Sequence, residues 1–347
     1  MPMKPITSSR RPRAVLSFQP PSLVGQIFTS DALDRMTAHL DFDPAHMITE
    51  TGTEQSRRLL ADAEVLLAGW GAPPVPAGLA PRLRAVVYAG GIAATCLTDP
   101  AEHAARGVVA SNARVVNAVP VAEYTLAMIL LANKKARYAE REYRELRRQP
   151  GTSPGGIGNY GRTVGIVGAS QVGRRVIELL RSFELDVVVY SPELTRESAA
   201  ALGVRIGTLE EVAAQSHVLS LHQPLIPETV GQIDAHILDL LPDGATLINT
   251  ARGAVVDEAA LMTELRTGRI EAILDVTDPE PPPPDSELWR LPNVVLTPHI
   301  AGSMGNELHR IGDSVAAEIE RFTRGLPFAH PEDLDPHRPK KEGPHDA

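Results

Sequence analysis

An α/β fold is what this sequence predicts, with a doubly wound parallel sheet in one domain and a second, smaller α/β domain built from the N-terminal third plus a C-terminal helix. Three observations carry that expectation. Short apolar, β-prone runs alternate with helix-length segments along most of the chain. These runs fall into one group before residue 110 and a second, more complete group after residue 163. At 347 residues, 43% hydrophobic and 22% charged, the chain is long enough for two ordinary cores.

Runs at residues 14–18, 64–68, 83–88 and 107–110 define the smaller, flavodoxin-like unit. Residues 121–147 hold neither Gly nor Pro, and Tyr124, Met128 and Leu131 recur at helical spacing. One long helix is expected there, apolar at first and then heavily charged. After the Gly- and Pro-bearing stretch 150–161 come runs at 163–167, 185–190, 217–221, 245–249, 272–276 and 294–297, with helix-length segments such as 173–182 and 258–267 between them. Strands joined by helical crossovers in this way make a doubly wound sheet of the Rossmann type. Residues 306–324 look helical and lead out of that sheet. The expected domains are therefore 1–116 with 303–329, and 117–302. Residues 330–347, rich in Pro, Asp, His and Lys, are expected to form a disordered tail.

A formal net charge of −9 speaks against a general nucleic-acid surface but leaves room for a small anion held by one local Arg. The apolar stretches are interrupted short of a membrane span. Lys4, Arg10, Arg11 and Arg13 are followed by no apolar run, so a secretory leader is not expected and this end should fray. Cys96 is the only cysteine, which excludes an intrachain disulfide and a multi-thiolate metal site and fits a reducing cytoplasm. His217, His222 and His236 show no metal-ligand spacing, and no metal is expected.

The run Thr163-Val-Gly-Ile-Val-Gly-Ala-Ser-Gln-Val-Gly-Arg174 reads as a strand entering a tight turn and then a helix. Gly168 suits the turn, Gly173 suits close packing of helix on strand, and N–H groups at the helix start can hold a pyrophosphate. Ser170 stands where the middle glycine of G-x-G-x-x-G would be. Some twenty residues on, Ser191 replaces the acid that would hold an adenosine ribose diol, and Arg196 lies near it in sequence. Both NAD and NADP stay open, with NAD favoured because a single nearby Arg is commonly just solvated.

Three further segments place a polar residue just after an apolar strand, where ligands bind in open α/β sheets. They are 247–258 (Leu-Ile-Asn-Thr-Ala-Arg-Gly-Ala-Val-Val-Asp-Glu), 274–281 (Leu-Asp-Val-Thr-Asp-Pro-Glu-Pro) and 296–302 (Leu-Thr-Pro-His-Ile-Ala-Gly). In this order, together with Asn117-Ala-Val-Pro-Val-Ala-Glu123 and Leu221-His-Gln-Pro-Leu-Ile-Pro-Glu-Thr229, they closely resemble the D-isomer-specific 2-hydroxyacid dehydrogenases over residues 110–303. The resemblance implies a catalytic Arg252, Glu280 and His299. It also places Gln171, Val172, Gln223, Thr229, Thr250, Ala251, Asp275 and Gly302 against a nicotinamide dinucleotide, and it implies a homodimer joined through the long helix. The chemistry agrees: a guanidinium can grip a 2-oxo acid's carboxylate through two parallel hydrogen bonds, and a protonated imidazole can donate to the ketone oxygen. Glu280 would orient that ring and favour the imidazolium.

Upstream the family usually has Gly-x-Gly-x-Asp, whereas this chain has Tyr88-Ala-Gly-Gly-Ile-Ala-Ala-Thr95. Gly90 and Gly91 keep a close backbone approach to the substrate carboxylate, but the acid that fixes the loop is missing. The substrate stays open among glyoxylate, hydroxypyruvate, 3-phosphoglycerate and larger oxo acids. The rival reading is an NAD(H)-sensing binding protein of the same family, acting through partners without significant turnover.

Overall fold

The structure, a computed structural model, describes residues 10–149 and 157–335. They divide into two compact units, one holding residues up to Asn117 and those from Met304 on, the other Ala118–Ser303. In chain order the strands are β1 (Ala14–Ser17), β2 (Met47–Ile48), β3 (Val65–Gly69), β4 (Ala85–Ala89), β5 (Val109–Asn112), β6 (Thr163–Val167), β7 (Asp186–Tyr190), β8 (Arg205–Ile206), β9 (Val218–Leu221), β10 (Thr246–Asn249), β11 (Glu271–Leu274), β12 (Val294–Leu296) and β13 (Pro331–Glu332).

In the first unit the sheet order is β13-β5-β4-β3-β1-β2, all neighbours parallel except β13 against β5. β3 and β4 are buried at every residue, as strands covered on both faces must be, which is why they read as unbroken apolar runs. The helices Ser30–His39 and Leu308–Thr323 cover one face with Met36, Ile311, Val315 and Ile319, while Leu60, Leu83 and Leu97 fill the other. Thr29, Thr53 and Asp99 cap their helices by accepting the N–H of Ala32, Ser56 and Glu102.

In the second unit seven parallel strands run in the order β12-β11-β10-β9-β6-β7-β8. From β6 the chain proceeds outward through β7 and β8, then returns to the other side of β6 with β9. The order therefore reverses between β6 and β9, the switch point beside whose carboxyl ends such sheets bind ligands.

Four local expectations need correction. The single helix over 121–147 is two helices, Arg114–Asn133 and Ala136–Leu146, broken where Lys135 takes a left-handed backbone (φ 51°) and its ammonium pairs with Glu271 at 3.2 Å. The first of these runs through Pro120, which costs it one backbone bond. It is also long and apolar enough to cross a membrane by length and composition, contrary to the sequence expectation; here Ala122 and Ile129 are fully buried in the second unit's core. The expected tail starts too early. Glu318, 2% exposed, accepts the N–H groups of Ala329 and His330, β13 then pairs with β5, and Leu334 is buried, so order extends through residues 330–335. At the other end, Arg10 and Arg13 are tied to Glu64 and Asp62 rather than frayed. Residues 1–9, 150–156 and 336–347 lie outside the described residues.

Candidate active site

The switch point of the second unit is built around the turn after β6. Gly168 has φ +93°, and a Cβ there would come within 2.6 Å of the Gln223 backbone nitrogen. Gly173 allows its helix to touch the same turn, since its Cβ would meet the Gly168 carbonyl at 2.1 Å. Ser170 needs no glycine geometry (φ −64°, ψ −177°). It is the N-cap of the helix Gln171–Leu180, its hydroxyl accepting the Gly173 N–H at 3.3 Å. Exposed Gln171 and half-buried Val172 form the first turn, whose N–H groups and helix dipole favour an anion.

Facing this turn from the end of β9, His222 and Gln223 are 4% and 5% exposed. His222 shares a 2.9 Å bond with Ser220, and burial pushes its pKa down to about 3. Its Nδ1 and the Gln223 Oε1 are buried without a partner among the described residues. Orphaned polar atoms beside a cradle that a Cβ would fill are what a dinucleotide's ribose and phosphate groups can complete, so the residues present fit that group. Thr229 instead spends its hydroxyl on the local turn, donating to the Pro224 carbonyl at 2.6 Å and accepting the Ile226 N–H. At the end of β7, half-buried Ser191 is followed by exposed Glu193, and Arg196 opens a short helix capped by Thr195.

The segment after β10 is held by Asn249. Its Oδ1 accepts the Ala251 N–H, and its amide donates to the Arg252 carbonyl at 2.8 Å. Thr250 shares a 3.1 Å bond with Thr125. Gly253 lies so close to the next loop that a Cβ would come within 2.0 Å of the Thr277 backbone. The Arg252 turn is thus pressed against the loop that carries Glu280. The exposed guanidinium itself donates to the Ala251 carbonyl at 2.6 Å.

Glu280 and His299 meet directly, Oε1 to Nδ1 at 2.8 Å, with both side chains nearly half exposed. With Nδ1 engaged, Nε2 is the nitrogen left to exchange a proton with a ligand. His299 is one of the few non-glycine residues with positive φ (54°), and a buried carboxylate holds it there. Asp275, 2% exposed, accepts the Ile300 and Ala301 N–H groups, both at 2.9 Å, and the Thr297 hydroxyl at 2.6 Å, while its own carbonyl accepts the His299 N–H. Asp275 therefore acts as the clamp of the histidine loop. Gly302 closes the segment, half-buried. Gly90 and Gly91 belong to the first unit, in the loop after β4.

The sheet reversal, the phosphate turn and a carboxylate-imidazole pair define a dinucleotide-binding unit equipped for proton transfer. Residues 126–301 match the family model described as the NAD binding domain of the D-isomer specific 2-hydroxyacid dehydrogenases. The chain belongs to that family. It is 36% identical over 223 residues to a D-3-phosphoglycerate dehydrogenase of Archaeoglobus fulgidus, an alignment covering 64% of this chain and 42% of that one. With a glyoxylate reductase of Korarchaeum cryptofilum it shares 35% identity over 251 residues, 71% of this chain and 75% of that one. The chain spans less than half the length of the phosphoglycerate dehydrogenases it matches. Among solved structures, the apo D-mandelate dehydrogenase of Rhodotorula graminis is similar with a TM-score of 0.76 at 25% identity, covering 93% of this chain and 98% of that one. The glyoxylate/hydroxypyruvate reductase of Sinorhizobium meliloti, in complex with NADP and malonate, gives 0.71 at 25% identity, covering 96% and 100%.

Proposed function

We propose that this chain is an NAD(P)-dependent oxidoreductase that moves hydride between nicotinamide and a small 2-oxo acid or D-2-hydroxy acid. The 2.8 Å contact between Glu280 and His299 carries the reading. A carboxylate on Nδ1 orients the ring, leaving Nε2 to donate to a ketone oxygen in reduction and to accept the alcohol proton in oxidation. Arg252 leaves the Ala251 carbonyl to take the substrate carboxylate in a two-point grip, a geometry Lys does not reproduce. The backbone at Gly90 and Gly91 is assigned to binding a substrate carboxylate. Gln171, Val172, Gln223, Thr250, Ala251 and the phosphate turn at Gly168–Gly173 hold the dinucleotide, which supplies the hydride chemistry when bound. Asp275 serves it indirectly, through the loop it clamps.

The absence of an acid at Ser191 removes the repulsion a 2′-phosphate would meet there, so NADP competes with NAD in this reading. A homodimer through the two helices between Arg114 and Leu146 and a cytoplasmic setting, suited to the buried lone thiol of Cys96, complete it. Light scattering that gives a monomer removes the dimer. The central test is a spectrophotometric panel of 2-oxo acids with NADH and NADPH in parallel, repeated with His299→Gln. The expected result is turnover of at least one oxo acid, slowed about 10²–10⁴-fold by the substitution with dinucleotide binding retained. No turnover across the panel overturns the enzyme, and unchanged turnover in His299→Gln removes the proton donor.

A further inference from the structure

We infer that Glu332 is a positioning residue for substrate binding, its carboxylate setting the shape of the Gly90–Ala94 loop. This rests on the function proposed above, in which that loop faces the substrate carboxylate. The loop lacks an acid of its own: residues 90–94 are Gly-Gly-Ile-Ala-Ala, and Ala93 is wholly buried. The structure supplies a carboxylate from the far end of the sequence. Glu332 Oε2 accepts the Ala93 N–H at 2.9 Å and Oε1 accepts the Ala94 N–H at 2.9 Å. A third donor, the Asn112 amide, reaches Oε2 at 2.6 Å.

These bonds close a circuit around the loop. Asn112 Oδ1 accepts the Arg114 N–H at 3.0 Å, and the Arg114 guanidinium donates to the Gly91 carbonyl at 3.1 Å. The Ala113 N–H donates to the Gly90 carbonyl at 2.8 Å. With both glycine carbonyls and the two following N–H groups held, the peptide planes between them have little freedom left. Among the described residues, the Gly91 and Ile92 N–H groups meet no acceptor, and a Cβ at Gly91 would meet nothing within 4 Å. Two N–H groups without an acceptor suit a small carboxylate. Hydrogen bonds to a charged acceptor are about twice as strong as neutral ones, so Glu332 holds the donors in place more firmly than a neutral side chain would. Its strand, two residues long, adds little hold of its own.

The test is Glu332→Gln, whose amide keeps one acceptor but turns its NH₂ group toward a donor. The expected result is a KM for the oxo acid raised about tenfold, with kcat within about twofold and dinucleotide affinity by fluorescence titration unchanged. Hydrogen exchange at the Ala93 and Ala94 amides should be about tenfold faster. Glu332→Asp should fall between the two. If the Gln variant does not fold, Asn112→Ser removes one of the three donors and should move KM and exchange the same way, by less. Unchanged KM and exchange overturn the inference, as does a parallel loss of kcat, dinucleotide affinity and melting temperature, which would make Glu332 a plain structural staple. Should the unmodified chain turn over no oxo acid, the proposed function fails separately. Calorimetric binding of oxamate to the dinucleotide-saturated protein then decides the inference, weaker binding in Glu332→Gln supporting it and equal binding overturning it.

Discussion

His299, the proposed proton donor, shows how much of a side chain's placement is done by its neighbours. A left-handed backbone costs a non-glycine residue about 1–2 kcal/mol, and the three donors on the Asp275 carboxylate offset that cost. Asp275→Asn leaves an NH₂ group facing a donor, so it should destabilise the fold by about 1–3 kcal/mol in urea denaturation and lower kcat as the ring loses its register. Equal stability would mean the loop holds itself. His222 makes a pH statement. Burial pushes its pKa to about 3 from an ordinary 6.5, so the unfolded chain takes up the proton first. Its contribution is therefore intact above pH 6.5 and is lost as pH falls from there toward 3. His103 and His217, also lowered by burial, add to the same slope. Denaturation midpoints across that window should fall with acidification, and His222→Gln should flatten the fall.

Elements were legible in the sequence to the degree that their causes are local. β6 and the helix Glu258–Thr267 occupy the residues their patterns predicted, because an apolar run ending in Gly168 and a stretch capped by Asp257 carry their own boundaries. The Glu280–His299 pair was legible because motif order places both after neighbouring strands. The break at Lys135 was not, since no Gly or Pro marks it and the ion pair that accompanies it lies 136 residues away in sequence. Glu332 was hidden for the same reason, standing 239 and 238 residues from the N–H groups it binds. β2, β8 and β13, each of two residues, are too short for alternation to register. The helix Ala136–Leu146 ends on Arg147 in the left-handed region (φ 51°). Arg147→Gly should raise stability by about 0.5–1 kcal/mol, read from the thermal midpoint, because glycine takes that conformation without strain. A lower midpoint would show that the Arg side chain matters more than its backbone.

At the scale of the molecule, the first unit is discontinuous: its sheet and one covering helix come from both ends of the described chain. Ending the chain after residue 329 would remove β13, the buried Leu334 and the Glu332 carboxylate. The expected outcome is a lower first-unit melting temperature and lost oxo-acid binding with dinucleotide affinity retained, checked by calorimetry and titration. A truncated chain with normal KM would show that the terminal strand is dispensable. The same discontinuity orders events at the ribosome. All of Ala118–Ser303 is translated before the helix Leu308–Thr323 and β13 emerge, so the dinucleotide unit can finish folding during synthesis while the other must wait, half assembled, for the last residues of its own sheet.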